Sequence, residues 1–109
     1  MADAKHTPGP WIYYADLPST EPNWHIVTTA NKMRVLANVH IEPGNAMDEA
    51  NARLIAAAPD LLAASMKAAN ELRQAARALA KAGDHKAAAV ADMAEERTRA
   101  AIAKATGAA

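Results

Sequence analysis

A single proline decides what the second half of this chain can become. After Pro43 the sequence is dominated by alanine, and Pro59 is the only further proline. Alanine has the highest helix propensity of any residue. Proline cannot donate to the helical ladder, and it disfavours helix at the residue before it, here Ala58. One continuous helix is therefore excluded. The pattern predicts a short helix before Pro59 and longer helices after it. Asn45 or Asp48 is placed to cap the first, and Asp60 to help start the next.

Beyond the break, Leu61, Ser65, Ala68, Leu72, Ala75, Leu79 and Ala82 form a stripe at heptad-like spacing. Gly83-Asp84 then reads as a stop and restart, a C-terminal glycine followed by an N-cap. A last helix is expected from about Lys86 to Ala105. Its inner stripe is Ala87, Ala91, Ala94, Thr98, Ala101 and Ala105, with Val90 and Ile102 beside it. Small residues there permit close approach, so the two helices should form an antiparallel hairpin.

Upstream the pattern changes. Trp11-Ile-Tyr-Tyr14 is aromatic and β-branched, which favours a strand. Leu17 to Pro22 reads as a loop. Trp24-His-Ile-Val-Thr-Thr29 and Arg34 to Ile41 read as two further strands about a tight turn at Asn31-Lys32, and Pro43-Gly44-Asn45 closes the sheet. Pairing Trp24 with Val39, Ile26 with Ala37 and Thr28 with Val35 collects a mainly apolar face. The other face then carries Asn23, His25, Val27 and Thr29 beside Arg34, Leu36, Asn38 and His40. Such a face is either simply solvated or a binding surface.

The expected fold is α+β: a three-stranded antiparallel meander, a short helix, then a long antiparallel helical hairpin. One domain spans 1–109, with a loose N-terminus at 1–9, the sheet at 10–42 and the helical region at 46–106. The hydrophobic fraction of 51% is mostly alanine, and there is no Phe. So thin a supply of large apolar residues predicts stabilisation by self-association, because a small domain already buries a modest share of its surface. The 12 basic and 12 acidic residues cancel, which argues against a nucleic acid polymer or a membrane surface as partner. With no cysteine, no bilayer-length apolar run and no signal peptide, the expected location is the cytoplasm.

Little in the sequence points to catalysis. Ser19 and Ser65 have no nucleophile signature. His6, His25, His40 and His85 lack zinc-ligand spacing, and a Gly-rich phosphate loop is missing. Neither enzymatic activity nor a metal nor a cofactor is expected. Binding is another matter. Asn51 is a poor residue inside a helix, so it either caps the first turn or is aimed at something, such as a purine edge. Arg53 follows on the same short helix, and it or Arg34 offers a guanidinium fork for phosphate. Arg73, Arg77, Arg97 and Arg99 read as solvated, with Glu95–Arg99 an i,i+4 pair. His25 and Asn38 belong to the polar sheet face. Trp24 reads as core. Trp11 reads as core too, with stacking on a base at a subunit boundary as the alternative.

His6-Thr-Pro-Gly-Pro-Trp11, then strands, then Glu49-Ala-Asn-Ala-Arg-Leu-Ile-Ala-Ala-Ala-Pro-Asp-Leu-Leu62 and an alanine-rich tail, resembles a widespread group of small phage and prophage proteins. The shared order spans nearly the whole chain. Among them it is similar to the first type of Thoeris anti-defence proteins. That resemblance implies a phage-encoded sponge that binds a cyclic ADP-ribose isomer, or cyclic di- or trinucleotides, without cleaving it. It implies assembly as a dimer or hexamer in the host cytoplasm. By position in the motif, Asn51 would contact a base and Arg53 phosphate or ribose. Without Phe, stacking would fall to Trp11, Tyr13, Tyr14 or a His. The rival reading is a protein–protein adaptor or inhibitor that docks through the helical hairpin.

Overall fold

The structure, a computed structural model, describes residues 5–18, 24–31 and 34–108, and for 15–18 and 24–26 the backbone alone. Six elements follow in order: β1 (Trp11–Pro18), β2 (Trp24–Thr29), β3 (Val35–His40), α1 (Ala46–Ala56), α2 (Ala58–Lys81) and α3 (His85–Thr106). The chain is therefore α+β, with a three-stranded antiparallel sheet, a short helix and two long ones. Two compact units emerge. One is Thr7–Leu61, and the other holds Lys5, His6 and the residues from Leu62 onward.

In the first unit the strands lie in the order β1-β2-β3. β1 is longer than the expected Trp11–Tyr14, since Pro18 pairs with His25 after an irregularity beyond Tyr14. A proline is tolerated there because β1 is an edge strand. The β2–β3 register corrects the expected one. Thr28 does pair with Val35, but Val27 pairs with Ala37, Ile26 with Asn38, His25 with Val39 and Trp24 with His40. Leu36 is the extra residue, a bulge, and one inserted residue exchanges the faces on either side of it. Val27, expected on the polar face, is instead completely buried. The expected core role of Trp24, the loop at 19–22 and the turn residue Lys32 lie outside the described residues.

Val27, Val39, Ile41 and Ala52 are the buried heart of this unit, with Trp11, Tyr13, Ala37 and Ala56 packed against them. Ala52 and Ala56 are one turn apart on α1, and their small side chains let the helix lie close to the sheet. Asn45 caps α1, accepting from the N–H groups of Met47 at 3.1 Å and Asp48 at 3.2 Å. Asp48, the other candidate cap, instead accepts from the N–H of Glu42 at 2.9 Å and so ties the incoming loop to the helix.

The break falls at Ala57, which ends α1 in helical conformation. Pro59 sits in the first turn of α2, where no helical N–H is needed. It is buried, and Gly9 explains why. A methyl group placed on Gly9 would stand 3.1 Å from Pro59 Cγ and 3.2 Å from its Cβ. The two sequence motifs thus touch. The indole N–H of Trp11 donates to the Thr7 carbonyl at 3.0 Å, which folds the first motif back on itself. The Gly9–Pro10 peptide is cis.

In the second unit, Gly83 ends α2 at a φ of 88°, a left-handed position that suits glycine. Asp84 caps α3 by accepting from the Ala87 N–H at 3.1 Å. Ala69, Ala76, Ala88 and Ala91 are buried. Ser65, Ala68, Leu72 and Leu79 are half-buried as expected, but Leu61, Ala75 and Ala82 are exposed, and Leu62, Ala69 and Ala76 take inner places. On α3, Val90, Ala101 and Ala105 are exposed, and Ala88 takes an inner place. Arg73 Nε donates to Glu95 at 3.0 Å and Arg99 Nη2 to Asn70 at 3.2 Å. Numbers rising on α2 meet numbers falling on α3, so this is an antiparallel hairpin.

Candidate functional site

The six candidate residues do not converge on one place. Asn51 lines a shallow cleft of about 500 Å³ with Asn38, Val39, His40, Asp48, Leu54 and Ile55. Asn51 and Asn38 are thus brought together, from α1 and β3. Their neighbours are one carboxylate, one imidazole and three aliphatic residues, with no Lys or Arg in the lining. Leu54 and Ile55 were not singled out from sequence, although their spacing of three and four from Asn51 puts them on its face of the helix.

Arg53 is elsewhere. It lies 3.6 Å from the Glu49 carboxylate, and both side chains are largely exposed. The pair sits beside Tyr13, whose hydroxyl pKa is raised by burial and by the Glu49 charge, while Arg53 opposes the rise. Arg53 is thereby occupied in part by a neighbour of its own sign-complement, as an i,i+4 pair on an exposed helix face.

Arg34 lines a second cleft of about 380 Å³ with Thr7, Pro8, Gly9, Pro10, Thr29, Ala30 and Asn31. The turn is closed by backbone. Thr29 N–H donates to the Arg34 carbonyl at 3.1 Å, and the Arg34 N–H donates to Thr29 Oγ1 at 3.3 Å. Thr29 Oγ1 in turn donates to Asn31 Oδ1 at 2.7 Å. Arg34 is exposed and makes no ion pair among the described residues. The cleft therefore holds one guanidinium with two threonines and an asparagine, and its lining contains no carboxylate. The first motif supplies its other wall, a role that sequence spacing gave no sign of.

Trp11 is tied to Thr7 and packed on the core. His25 stands opposite Val39 in the register and Asn38 opposite Ile26, so the expected pairing of these two does not form. A third cleft, of about 650 Å³, belongs to the hairpin unit and is mainly apolar, lined by Lys5, His6, Leu62, Met66, Ile102, Ala105 and Thr106. No group of three His, Cys, Asp or Glu among the described residues could hold a metal ion. No helix among them is long and apolar enough to cross a membrane.

The chemistry of the two sheet-unit clefts differs. Anions favour a guanidinium with hydrogen-bond donors around it. The Arg34 cleft offers that, whereas the Asn51 cleft meets an anion with the Asp48 carboxylate.

Among curated proteins and among solved structures nothing matches the chain. A family model described as Salmonella phage P22 protein Y8K6 matches residues 1–109. The match takes in both motifs, the sheet and the helical hairpin, and the chain belongs to this phage protein family.

Proposed function

We propose that this phage protein is a non-catalytic sponge, one that captures a cyclic nucleotide immune signal in the host cytoplasm and holds it intact. The observation that carries the reading is the Arg34 cleft: an exposed guanidinium without an ion pair among the described residues, beside Thr29, Asn31 and Thr7. A phosphate oxygen pair fits the fork of Arg34, and the amide and hydroxyls replace water around the sugar. Pro8 and Pro10 stiffen the wall, which lowers the cost of ordering it on binding. Sequestration asks only for tight binding and slow release. Calorimetry with cyclic ADP-ribose isomers and a panel of cyclic di- and trinucleotides tests this. Heat with one of them, lost in Arg34→Ala, is the expected result, with the ligand recovered unchanged. No heat from any of them rejects the reading.

The rival is an adaptor or inhibitor docking through the hairpin. It draws support from Val90 and Met93, which are 63% and 56% exposed on α3. Partner binding abolished by Val90→Arg or Met93→Arg, and indifferent to Arg34→Ala, would establish it instead.

A further inference from the structure

We propose that the cleft at the open end of the hairpin binds a medium-chain aliphatic carboxylate. The inference stands apart from the nucleotide reading, since its residues all belong to the second unit and those of the Arg34 cleft to the first. Three segments build it. Leu62 and Met66 stand one turn apart near the start of α2, and Ile102, Ala105 and Thr106 fall at i, i+3 and i+4 where α3 ends. Lys5 and His6 supply the third wall. At about 650 Å³ the cleft lies within the range of small-molecule sites, about 300–1,000 Å³, which are mostly apolar with few polar groups.

Charge selects the head group. The Lys5 ammonium makes no ion pair among the described residues, and the lining holds no carboxylate. The carbonyl end of α3, with its partial negative charge, could by itself account for a nearby cation. Lys104 already stands in that last turn, however, which leaves Lys5 for a ligand. Thr106 does not hold the head, because its hydroxyl donates to the Ile102 carbonyl at 2.9 Å. The helix-end carbonyls repel an anion as well. The head therefore lies on the Lys5 side, with the body toward Leu62 and Met66.

The floor selects the body. It is made by Leu62, Met66, Ile102 and Ala105, and no Trp, Tyr or Phe lines the cleft, so a flat base lacks the platform it would stack on. A flexible chain fits instead. Met66, 51% exposed, has the adaptable side chain to follow it. The cleft spans about one turn on each helix, whereas a docked peptide helix needs anchors over about two.

Calorimetry of the full chain with hexanoate, octanoate and decanoate, each below its micelle concentration, tests this. The expected result is one-site binding that tightens about fourfold for each added methylene. Decyltrimethylammonium, with the same tail and the opposite charge, should give no heat. Lys5→Glu should weaken decanoate binding roughly tenfold or more, and Met66→Gln roughly threefold or more. Both positions are exposed, so circular dichroism should show unchanged helix content. Arg34→Ala should leave decanoate binding as it is. Absence of heat at every chain length overturns the proposal. So does decanoate binding that neither Lys5→Glu nor Met66→Gln changes, or binding that the cationic amphiphile matches. Co-sedimentation with phosphatidylglycerol vesicles, lost in Lys5→Glu, would assign the cleft to a membrane surface and overturn it equally.

Discussion

Asn51 and Arg53 stand two residues apart on α1 and consequently on different sides of it: Asn51 lines the β3 cleft, and Arg53 pairs with Glu49 at 3.6 Å. Neighbours in sequence, they serve different surfaces, because a helix turns through roughly 200° in two residues. Their substitutions should accordingly separate. Arg53→Ala removes an exposed i,i+4 pair, and should cost at most about 0.5 kcal/mol in chemical denaturation. It should leave nucleotide affinity in calorimetry unchanged, whereas Arg34→Ala should lower that affinity roughly tenfold or more, in line with loss of a charge-assisted hydrogen bond.

Gly9 should not tolerate a side chain. A methyl group there meets Pro59 at 3.1 and 3.2 Å, and neither partner can swing aside, since one is ring and the other backbone. Gly9→Ala should destabilise by about 1–3 kcal/mol, the cost of overpacking. Urea denaturation would read this as a lower midpoint at unchanged slope.

The caps offer a cleaner comparison. Asn45 and Asp84 each accept from backbone N–H groups at the start of a helix. Asn45→Ala and Asp84→Ala should each cost about 1 kcal/mol. Asn45→Ser and Asp84→Asn should recover most of it, and thermal melts of the four variants would show this.

The hairpin should weaken in acid. Glu95 receives hydrogen bonds from Arg99 and Arg73, which hold its pKa below the ordinary value of 4.5, the Arg99 bond contributing most. Because the folded pKa is the lower one, the folded protein releases this proton more readily than the unfolded chain. The stabilisation is whole at neutral pH, declines as pH falls below the ordinary glutamate value, and is gone beneath Glu95's own lowered value. Glu95→Gln should lower the melting temperature at pH 7 and narrow its gap from wild type on acidification. A gap that stays constant across the acid range would refute the linkage.

The elements were legible where the residues differ in kind. Pro59 announced the break between α1 and α2, and Gly83-Asp84 the hairpin turn, because each has backbone chemistry that its neighbours lack, while the cap of α1 stayed open between Asn45 and Asp48, which share theirs. Faces were harder. Choosing Ala75 over Ala76 needs a difference in side chain, and two adjacent alanines offer none. Leu36 was equally silent, since a bulge residue looks like any other strand residue until the register around it is known. That silence misassigned Val27 and joined His25 to Asn38. The Arg34 cleft depends on Thr7–Pro10 returning to the Thr29 turn, a long-range closure with no local signal. The link from Arg73 to Glu95 was hidden in the same way.

The apolar face of the sheet is covered by a helix that follows it directly in the chain. Val27, Val39 and Ile41 are finished before Ala52 and Ala56 are made, so a growing polypeptide presents that face bare. The interval is short, because only one turn and two helical turns separate Ile41 from Ala52. A chain that ends before Ala52 thus lacks the cover for these residues, and one stalled there should bind chaperones more than one stalled beyond α1.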